Sequence, residues 1–537
     1  MRAFDYVIVG AGSAGCVLAA KLSGNGRHTV ALLEAGPDDR NPMIHVPKGF
    51  GKLLADPTHV WYFQTEPEDA TNGKPQTWLR GKVLGGSSAV NGMVYMRCHP
   101  ADYDSWAEAG LTGWNWRAIE PYFRAMENHA LGAGPHRGVG GPLSVGPMAA
   151  PHRLGDAILE SGRSLGLPVR EDLNVPEQEG IGYITQNIAK GKRQSSAVAF
   201  LTPAVRKRPN LTIVTGAMAQ RIVLQGTRAT GVTASVNGQV ETFGARREVI
   251  VSAGAINSPK LLQLSGIGPA AHLHSLGLDV VVDSPDVGAN MAEHLLTWQQ
   301  FWLRDWRDCQ NRAFAGLPLA LNTLRYALLR KGPLATGSSD ITVFLKTRPE
   351  LARPDAQINI DPYSLDLDSP AMGFDTRPGM QMYAYGLRPD SRGSVMARSA
   401  NPDDPPVIRT NYLTAESDKR TLVRAFRFAR RLMTQPALAD FVLEEKTPGP
   451  QVQSDDEIVD VYRKRGQSGY HAMGTCRMGA DAQAVLDERL RVRGAAGLRV
   501  VDLSVVPGPL SGNTNAPTMA IAARAADLIL EDAVKGP

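Results

Sequence analysis

The chain has few cysteines, almost no charge excess and no long apolar run. Four cysteines are scattered through 537 residues without the close pairing of a metal site, and so few thiols are typical of a protein kept reduced in the cytoplasm. The 58 basic side chains barely outnumber the 53 acidic ones, and no basic run with interleaved aromatic residues indicates nucleic acid as a partner. No run of about 18 apolar residues predicts a membrane span.

The first apolar strand begins by residue 4, so we expect no signal peptide ahead of it. The sequence therefore predicts a cytoplasmic protein, and its small basic excess leaves open a peripheral contact with the inner membrane. Hydrophobic residues make up 43% of the chain and charged residues 21%, as in ordinary globular proteins. The length allows two or three domains.

A glycine-rich turn follows the first predicted strand, residues 6–9. Gly10, Gly12 and Gly15 fit the G-x-G-x-x-G pattern of dinucleotide-binding turns. The first glycine permits the tight turn, the second lets the backbone approach a pyrophosphate, and the third lets the following helix, residues 17–22, pack on the strand. The N-terminus of that helix presents free N–H groups to phosphates. The pattern predicts a dinucleotide site but does not separate FAD from NAD.

A carboxylate closes the second predicted strand, residues 28–33. Glu34 at that position can accept hydrogen bonds from both hydroxyls of a ribose, and it would repel a 2′-phosphate. We therefore expect NADP to be disfavoured.

The rest of the chain alternates between two kinds of sequence composition. Residues 60–105 are too rich in glycine and serine for a helix and predict an extended loop over a ligand. Residues 296–460, with aromatics, prolines and mixed strands, indicate a separate domain. The residues after them return to the composition of the nucleotide-binding domain. Further predicted elements are strands at 211–214, 221–224, 249–253, 381–385 and 498–501 and helices at 259–264 and 518–530.

Four separated motifs occur in a fixed order. They are the N-terminal turn through Leu33-Glu34-Ala35-Gly36, the segment from Gly81 to Tyr95, the segment from Gly254 to Pro269, and the C-terminal pair of His471 and Asn515. Together they resemble the glucose–methanol–choline (GMC) family of flavin oxidoreductases over essentially the full chain. Within that family the sequence looks closest to bacterial alcohol dehydrogenases that pass electrons to an acceptor other than oxygen, and to choline dehydrogenase-like proteins.

The resemblance implies an α/β fold, α+β overall, with two domains. A Rossmann-like FAD-binding domain, discontinuous in sequence, would take residues 1–155, 195–295 and 460–537. A substrate domain, built on an antiparallel sheet flanked by helices, would take residues 156–194 and 296–459.

The resemblance also implies FAD as the cofactor. Val90 stands where some family members carry a histidine that links covalently to the flavin, and valine has no nucleophile, so we predict noncovalent FAD; no metal is expected. The backbone of Ala219 is expected at the adenine, and Asp502 near the ribityl chain and pyrophosphate. The predicted cofactor residues are Gly10, Gly12, Ser13, Ala14, Gly15, Glu34, Ala35, Val83, Gly86, Asn91, Gly92, Met93, Val94, Ala219, Asp502, Ala516 and Thr518.

His471 and Asn515 are the predicted catalytic pair. Oxidation of an alcohol removes a proton from oxygen and a hydride from carbon, and histidine titrates near neutrality, which suits a base at the oxygen. The amide N–H of Asn515 can stabilise the developing alkoxide. Taken alone, His471 is an ordinary loop histidine and Asn515 a turn residue or helix cap. The resemblance favours the catalytic roles.

Three residues are candidates for substrate recognition. Asp340 resembles in position a glutamate that choline-oxidising relatives use against a quaternary ammonium, and a buried carboxylate suits a cation. The alternative is a structural carboxylate paired with an arginine. Tyr383 and Tyr385 are candidates to line a pocket, although alternating tyrosines in a strand more often serve core and surface packing.

Leucines repeat at helical spacing as Leu317, Leu321, Leu324 and Leu328, with three basic residues nearby. We interpret this segment as a packed helix of the second domain. The alternative is a helix that lies on a membrane surface, where electrons would reach a quinone.

The predicted function is oxidation of a primary alcohol to an aldehyde by hydride transfer to flavin N5, with His471 as base and a quinone or another non-oxygen compound as electron acceptor. Alternatives are an oxidase that makes hydrogen peroxide and a choline dehydrogenase. A hydroxynitrile lyase with a structural flavin belongs to a different class, as does a flavin-binding scaffold without turnover. The sequence does not identify the alcohol, the acceptor or the oligomeric state.

Overall fold

The computed structural model describes residues 2–148, 151–369 and 373–535. Two seven-stranded sheets organise it, which confirms the predicted α/β fold. The exact bounds of the two domains stay a prediction, and their ranges also contain residues 1, 149, 150, 370–372, 536 and 537, which lie outside the described part.

The first sheet contains the predicted N-terminal strands. Its order is Leu211–Thr215, Val30–Glu34, Arg2–Val9, Gln239–Val251, Arg228–Val236 and Ala217–Gln225, and Leu498–Val500 pairs with the end of Gln239–Val251. The strands from Leu211–Thr215 to Gln239–Val251, together with Leu498–Val500, are parallel, whereas the last two are antiparallel. Val30–Glu34 is buried along its whole length, because a parallel strand is covered on both faces.

The second sheet is antiparallel throughout, as the resemblance implied. Its order is Val442–Thr447, Leu295–Leu303, Gly379–Gly386, Ala356–Asp361, Ile341–Leu345 and Gly180–Tyr183, with Gln467–Ser468 paired to the start of Leu295–Leu303. Side chains alternate between its faces. Ile358 and Met382 pack in an apolar cluster with residues of helix Glu416–Met433. Neighbouring residues such as Asn359 and Tyr383 therefore point to the other face, which is polar.

Fourteen α-helices surround the two sheets in the described residues. They are Ser13–Leu22, Pro42–His45, Phe50–Leu53, Pro100–Glu108, Trp116–Met126, Arg153–Ser164, Ser196–Phe200, Pro203–Arg206, Gly254–Leu264, Ala270–Ser275, Gly316–Leu329, Glu416–Met433, Asp455–Arg465 and Asn515–Lys535. Short strand pairs or triplets are formed by Val60–Gln64 with Thr77–Gly81, Glu127–His129 with Leu143–Pro147 and Thr185–Gln186, Ile188–Ala189 with Lys192–Arg193, Ile267–Gly268 with Val282–Asp283, and Ser394–Met396 with Val407–Arg409.

Two expectations about local structure are wrong. Residues 60–105 are not one extended loop, because Val60–Gln64 and Thr77–Gly81 pair as an antiparallel hairpin and helix Pro100–Glu108 closes the segment. The leucines of helix Gly316–Leu329 are not packed. Leu317 and Leu328 are 71% and 72% exposed, so the interpretation of a buried helix fails for this face.

No helix in the described ranges is both long enough and apolar enough to cross a bilayer. Within the same ranges, no group of three or more histidine, cysteine, aspartate or glutamate side chains is arranged to hold a metal ion.

Candidate active site

A cavity of about 1660 Å³ lies between the first sheet and the polar face of the second. Most predicted site residues line it: Gly10, Gly12, Ser13, Ala14, Glu34, Ala35, Gly86, Asn91, Gly92, Met93, Val94, Ala219, Tyr383, Tyr385, His471, Asp502, Asn515 and Thr518. Four predicted residues lie outside its wall: Gly15, Val83, Asp340 and Ala516. Val83 and Ala516 are buried among apolar side chains.

The glycine turn is packed so tightly that three glycines at the cavity have no room for a side chain. Gly10 has a φ of +95°, and a Cβ there would lie 2.5 Å from the carbonyl oxygen of Ser252. A Cβ on Gly15 would lie 1.9 Å from the carbonyl oxygen of Gly10, and one on Gly86 would lie 2.6 Å from Cα of Gly12. Such contacts exclude side chains, and they bring two loops together where a ligand can touch backbone N–H groups.

Glu34 lies at the end of its strand, as predicted, but its carboxylate already has backbone partners. Oε2 accepts the N–H of Ala11 and Oε1 accepts the N–H of Gly36, both at 2.9 Å. Burial raises the pKa of Glu34 to about 7, and the two hydrogen bonds oppose that rise. Each oxygen keeps a second lone pair, so the group can still accept a ribose hydroxyl.

His471 lies on the cavity wall in a loop between the two sheets. It is 8% exposed, and burial lowers the pKa of its imidazole well below the usual value of 6.5, with nearby His294 and Arg80 acting in the same direction. The side chain is therefore neutral at physiological pH, which is the form that a proton acceptor needs.

A chain of hydrogen bonds decides which nitrogen of His471 can accept that proton. Nε2 of His294 lies 2.9 Å from the carbonyl oxygen of Leu387, which can only accept, so this nitrogen carries a hydrogen. Burial lowers the pKa of His294 to about 4, so its Nδ1 is an acceptor. Nδ1 of His471 lies 2.9 Å from that atom and must donate to it. The lone pair of neutral His471 is therefore on Nε2.

Asn513, not Asn515, is the carboxamide beside this base. Its Nδ2 lies 3.3 Å from Nε2 of His471. The Nε2 of Gln357 donates to Oδ1 of Asn513 at 3.1 Å, which fixes the orientation of the amide. The predicted partner Asn515 is wrong in this respect. The two asparagines flank Thr514, and the sequence alone gives no reason to choose between them.

Asn515 faces the glycine turn instead. It is the first residue of the C-terminal helix Asn515–Lys535, and its Oδ1 accepts the hydroxyl hydrogen of Ser13 at 2.7 Å. Asn513 lies in the loop two residues before this helix begins, so its side chain reaches the base, whereas that of Asn515 reaches the dinucleotide turn.

Glu293 holds the two histidine loops together. Its Oε1 accepts the backbone N–H of His294 and that of His471, both at 2.8 Å. Its Oε2 accepts the hydroxyl of Ser468 at 2.9 Å and lies 3.6 Å from Nη2 of Arg80. Sequence reasoning missed both Glu293 and His294, because a single Glu-His pair outside a glycine-rich motif carries no distinctive pattern.

Comparison with known proteins agrees with this arrangement. The N-terminal region of the GMC oxidoreductases matches residues 4–296, and their C-terminal region matches residues 389–522. The chain belongs to the GMC oxidoreductase family.

This GMC oxidoreductase is similar to several characterised proteins over nearly its whole length. It is 40% identical over 533 residues to an oxygen-dependent choline dehydrogenase of Brucella anthropi, with 98% of this chain and 95% of the relative covered. It is 39% identical to the mitochondrial choline dehydrogenase of Mus musculus, with 98% and 89% covered. Among solved structures, pyridoxine 4-oxidase from Mesorbium loti matches with 31% identity, a TM-score of 0.89 and 98% and 99% coverage. A formate oxidase variant of Aspergillus oryzae matches with 26% identity, a TM-score of 0.91 and 99% and 98% coverage.

FAD is the cofactor of this GMC oxidoreductase, and the cavity fits an elongated dinucleotide. One end is lined by Glu34, Ala35 and Ala219, and the other by His471 and Asn513. The glycine turn lies between them. The first end would hold the adenosine, the turn and the N-terminus of helix Ser13–Leu22 the pyrophosphate, and the second end the flavin ring.

Asp502 contributes to this site through the backbone that it organises. Its Oδ2 accepts the N–H of Gly254 at 2.9 Å and the hydroxyl of Ser258 at 2.5 Å, and its Oδ1 accepts the N–H of Ser504 at 2.8 Å. The carboxylate thus caps helix Gly254–Leu264 at the cavity edge.

Arg193, which the sequence reasoning missed, positions the loop that would contact the flavin. Its guanidinium donates to the carbonyl oxygens of Ile44, Ser88 and Asn91 and to Oδ1 of Asn91. Val90 in this loop is 5% exposed and lines the cavity. Noncovalent FAD stays a prediction, and acid precipitation tests it, since a yellow pellet would contradict it.

The polar face of the second sheet supplies the other wall. Tyr383 and Tyr385 both line the cavity, because residues two apart in a strand share a face. The hydroxyl of Tyr383 lies 2.9 Å from that of Ser339, and the buried hydroxyl of Tyr385 has no hydrogen-bond partner among the described residues. The ring centre of Tyr385 lies 6.0 Å from that of His471.

Asp340 lies behind this wall and, in the described ranges of the chain, pairs with a histidine and not with an arginine. Its Oδ2 lies 3.1 Å from Nε2 of His152. Asp361, on the neighbouring strand, does line the cavity, and sequence reasoning missed it. Its Oδ2 accepts a hydrogen bond from Gln381 at 2.9 Å, while its buried Oδ1 has no partner within the part of the chain that the structure describes. Burial raises the pKa of Asp361 to about 6.

Lys48 brings a positive charge to the same end of the cavity. Its Nζ donates to the carbonyl oxygen of Ser338 at 3.2 Å and lies 4.7 Å from the ring centre of Tyr363 and 5.7 Å from that of Phe314. The ammonium group thus occupies a place among aromatic rings that would otherwise suit a cationic ligand.

Proposed function

We propose that this GMC oxidoreductase oxidises a neutral primary alcohol to the aldehyde and passes the electrons to an acceptor other than oxygen, such as a quinone. The observation that carries the proposal is the unprotonated Nε2 of His471, which faces the cavity 3.3 Å from an amide donor of Asn513. Base and donor converge at the place where an alcohol oxygen would lie.

The two side chains divide the work on that oxygen. Nε2 of His471 takes the hydroxyl proton, and Nδ2 of Asn513 donates a hydrogen bond as negative charge develops on the oxygen. When bound, FAD supplies the acceptor for the hydride that leaves the carbon. His294 accepts from Nδ1 of His471 in the resting state and so keeps Nε2 directed at the substrate.

The choice of a neutral alcohol rests on the charges in the cavity. The names of the relatives suggest choline, and a quaternary ammonium needs a carboxylate or an open aromatic cage. Asp361 is the carboxylate that the second sheet presents to the cavity, and the ammonium group of Lys48 lies among the aromatic rings beside it. That ammonium opposes a second cation. The wall nearer the base contains Leu296, Trp298 and Tyr385, which favour an apolar or aromatic alcohol.

Oxygen is the alternative acceptor, since the Brucella relative is named for oxygen dependence and the structural neighbours include oxidases. Hydrogen peroxide formed per aldehyde, measured with and without a quinone or dye acceptor, separates the two. We expect peroxide well below one equivalent when the acceptor is present.

Anaerobic reduction of the bound flavin by a panel of alcohols tests the proposal. Aliphatic and benzylic primary alcohols should bleach the flavin, and choline should do so only weakly. The Asp361→Asn variant serves as the matched control, since it should alter reduction by choline more than reduction by a neutral alcohol. Rapid bleaching by choline alone would make the protein a choline dehydrogenase. Cleavage of a cyanohydrin without bleaching would make it a lyase.

A further inference from the structure

Helix Gly316–Leu329 covers the cavity with one side and exposes leucines on the other. Leu319, Thr323 and Tyr326 line the cavity. The opposite side, here called the leucine face, consists of Leu317, Leu321, Leu324, Leu328 and Leu329. At 100° per residue the first four leucines of this face fall on one stripe, directly opposite Leu319 and Tyr326.

The exposure of this face is unusual within the molecule. Its five leucines are between 56% and 72% exposed, and only one other leucine of the described residues, Leu443, is exposed to a comparable degree. Scattered exposed leucines need no explanation, but a contiguous stripe on a surface helix marks an interaction site. The side of the helix opposite the leucine face is fixed to the protein, since the hydroxyl of Tyr326 donates to the carbonyl oxygen of Gly191 at 2.9 Å.

The surface around the leucine face is rich in positive charge. Three segments meet there, residues 41–55, 188–193 and 309–339. None of them contains an aspartate or a glutamate, and Asp56, Asp308 and Asp340 stand directly outside their ends. Their exposed basic residues are Lys52, Lys190, Lys192, Arg312, Arg325, Arg330 and Lys331. In the described part of the chain none of these seven forms a salt bridge.

We propose that the leucine face docks this protein on the surface of an anionic phospholipid bilayer. Leucines enter the boundary between headgroups and acyl chains, and the surrounding lysines and arginines contact the phosphates. A second copy of the chain fits this surface less well, because a two-fold contact would bring the same unpaired cations against one another. The proposal does not depend on the proposed alcohol chemistry.

Docking in this orientation would place the cavity next to the lipid. The same helix separates the leucine face from the cavity that contains His471. An apolar alcohol or a quinone dissolved in the bilayer would therefore reach the cavity beside this helix without crossing water.

Vesicle flotation of the FAD-loaded protein tests the proposal. The vesicles consist either of phosphatidylcholine alone or of phosphatidylcholine mixed with phosphatidylglycerol. We expect flotation with the anionic vesicles and a loss of binding at high salt. Leu317→Gln, Leu321→Gln, Leu324→Gln and Leu328→Gln combined should weaken binding at least about tenfold.

A matched control replaces the same number of exposed apolar residues elsewhere. It combines Val139→Gln, Val240→Gln, Leu443→Gln and Val534→Gln, all of which are exposed, and it should float like the unmodified protein. Turnover with a water-soluble dye should be unchanged in both variants, which shows that they are folded.

Three results would overturn the proposal. The first is absence of flotation with anionic vesicles, and the second is equal flotation of the two variants. The third is a dimer in solution that the leucine variant alone dissociates while no form binds vesicles, because the face would then be an interface between two copies.

Discussion

The first sheet meets the cavity with the carboxyl edge of its parallel strands, whereas the second sheet meets it with a whole face. Gly10, Glu34 and Ser252 each end or directly follow a parallel strand, Asp502 comes two residues after one, and all four line the cavity. The second sheet contributes residues such as Gln381, Tyr383 and Tyr385, which alternate along one strand. An edge presents backbone groups and caps, which suit a phosphate-bearing cofactor. A face presents side chains, which suit a substrate.

His471, the proposed base, lies where these two parts meet, and its replacement is the strongest test of the comparison. Replacement of His471 by alanine should leave FAD bound and lower the rate of flavin reduction by at least about 10²-fold, because the base is lost while the edge of the first sheet is intact. Stopped-flow reduction by an alcohol measures it. His274→Ala, at an exposed histidine, is the control. Reduction at a normal rate by the His471 variant would end the assignment.

The two asparagines of the C-terminal loop should separate catalysis from cofactor binding. Asn513→Ala should lower kcat/KM by roughly 10²-fold, since a donor to the developing alkoxide is removed, and should retain FAD. Asn515→Ala should instead weaken FAD binding, because Asn515 contacts Ser13 at the dinucleotide turn. Measurement of kcat/KM and of the FAD dissociation constant in both variants tests the pair. An inverted result would restore Asn515 as the catalytic amide.

The edge of the first sheet can be tested alone with Gly10→Ala. The new Cβ would meet the carbonyl oxygen of Ser252 at a φ of +95°, so the turn must shift, at a cost of about 1–3 kcal/mol. We expect FAD affinity to fall by roughly ten- to a hundredfold. Gly508→Ala is the control, because a Cβ there meets nothing within 4 Å. Equal flavin content in the two purified variants would contradict a tightly packed turn.

The smallest expected effect concerns pH and the buried pair of histidines. The folded-state pKa of His294 is about 4, below its ordinary value of 6.5. Between these values the unfolded chain binds a proton that the folded chain does not, so this residue makes stability fall as pH falls from 6.5 to 4. Glu34 and Asp361, whose folded-state pKa values are about 7 and about 6, act in the opposite direction.

The contribution of His294 therefore appears only as a difference between variants. We compare the free energy of unfolding of His294→Asn with that of the unmodified protein, by urea unfolding of the FAD-loaded proteins at pH 5 and pH 7. The difference should favour the variant more at pH 5 than at pH 7. The exposed His274→Asn should show no such difference. A parallel pH dependence of all three proteins would show that His294 is not buried in its neutral form.

Local patterns made the first sheet and its turn predictable. A strand, three glycines in fixed spacing and a closing carboxylate all lie within residues 6–34. Each has its own role in the turn or the cofactor site, and each acts together with residues that are close to it in the chain. The apolar runs at 249–253 and 498–501 likewise predicted strands that the structure contains. Patterns of this kind indicate structure because the interacting residues are close in the chain.

The neighbourhood of the base could not be predicted in the same way. His294 and His471 are 177 residues apart in the chain, and neither residue type reveals its partner. The choice between Asn513 and Asn515 depends on where helix Asn515–Lys535 begins relative to two other loops. The leucines of helix Gly316–Leu329 are exposed because the opposite face of the helix lies on the cavity. Helical spacing alone fits both a packed helix and a helix on a membrane surface.

The sequence by itself determined the type of cofactor, the glycine turn that would receive it and the family of reactions, because these depend on contiguous motifs. The tertiary structure alone decided which nitrogen of His471 is free, which asparagine lies beside it, and which charges reach the far end of the cavity. The physical reason is that hydrogen-bond direction, burial and the sign of the local field are properties of residues brought together from distant parts of the chain.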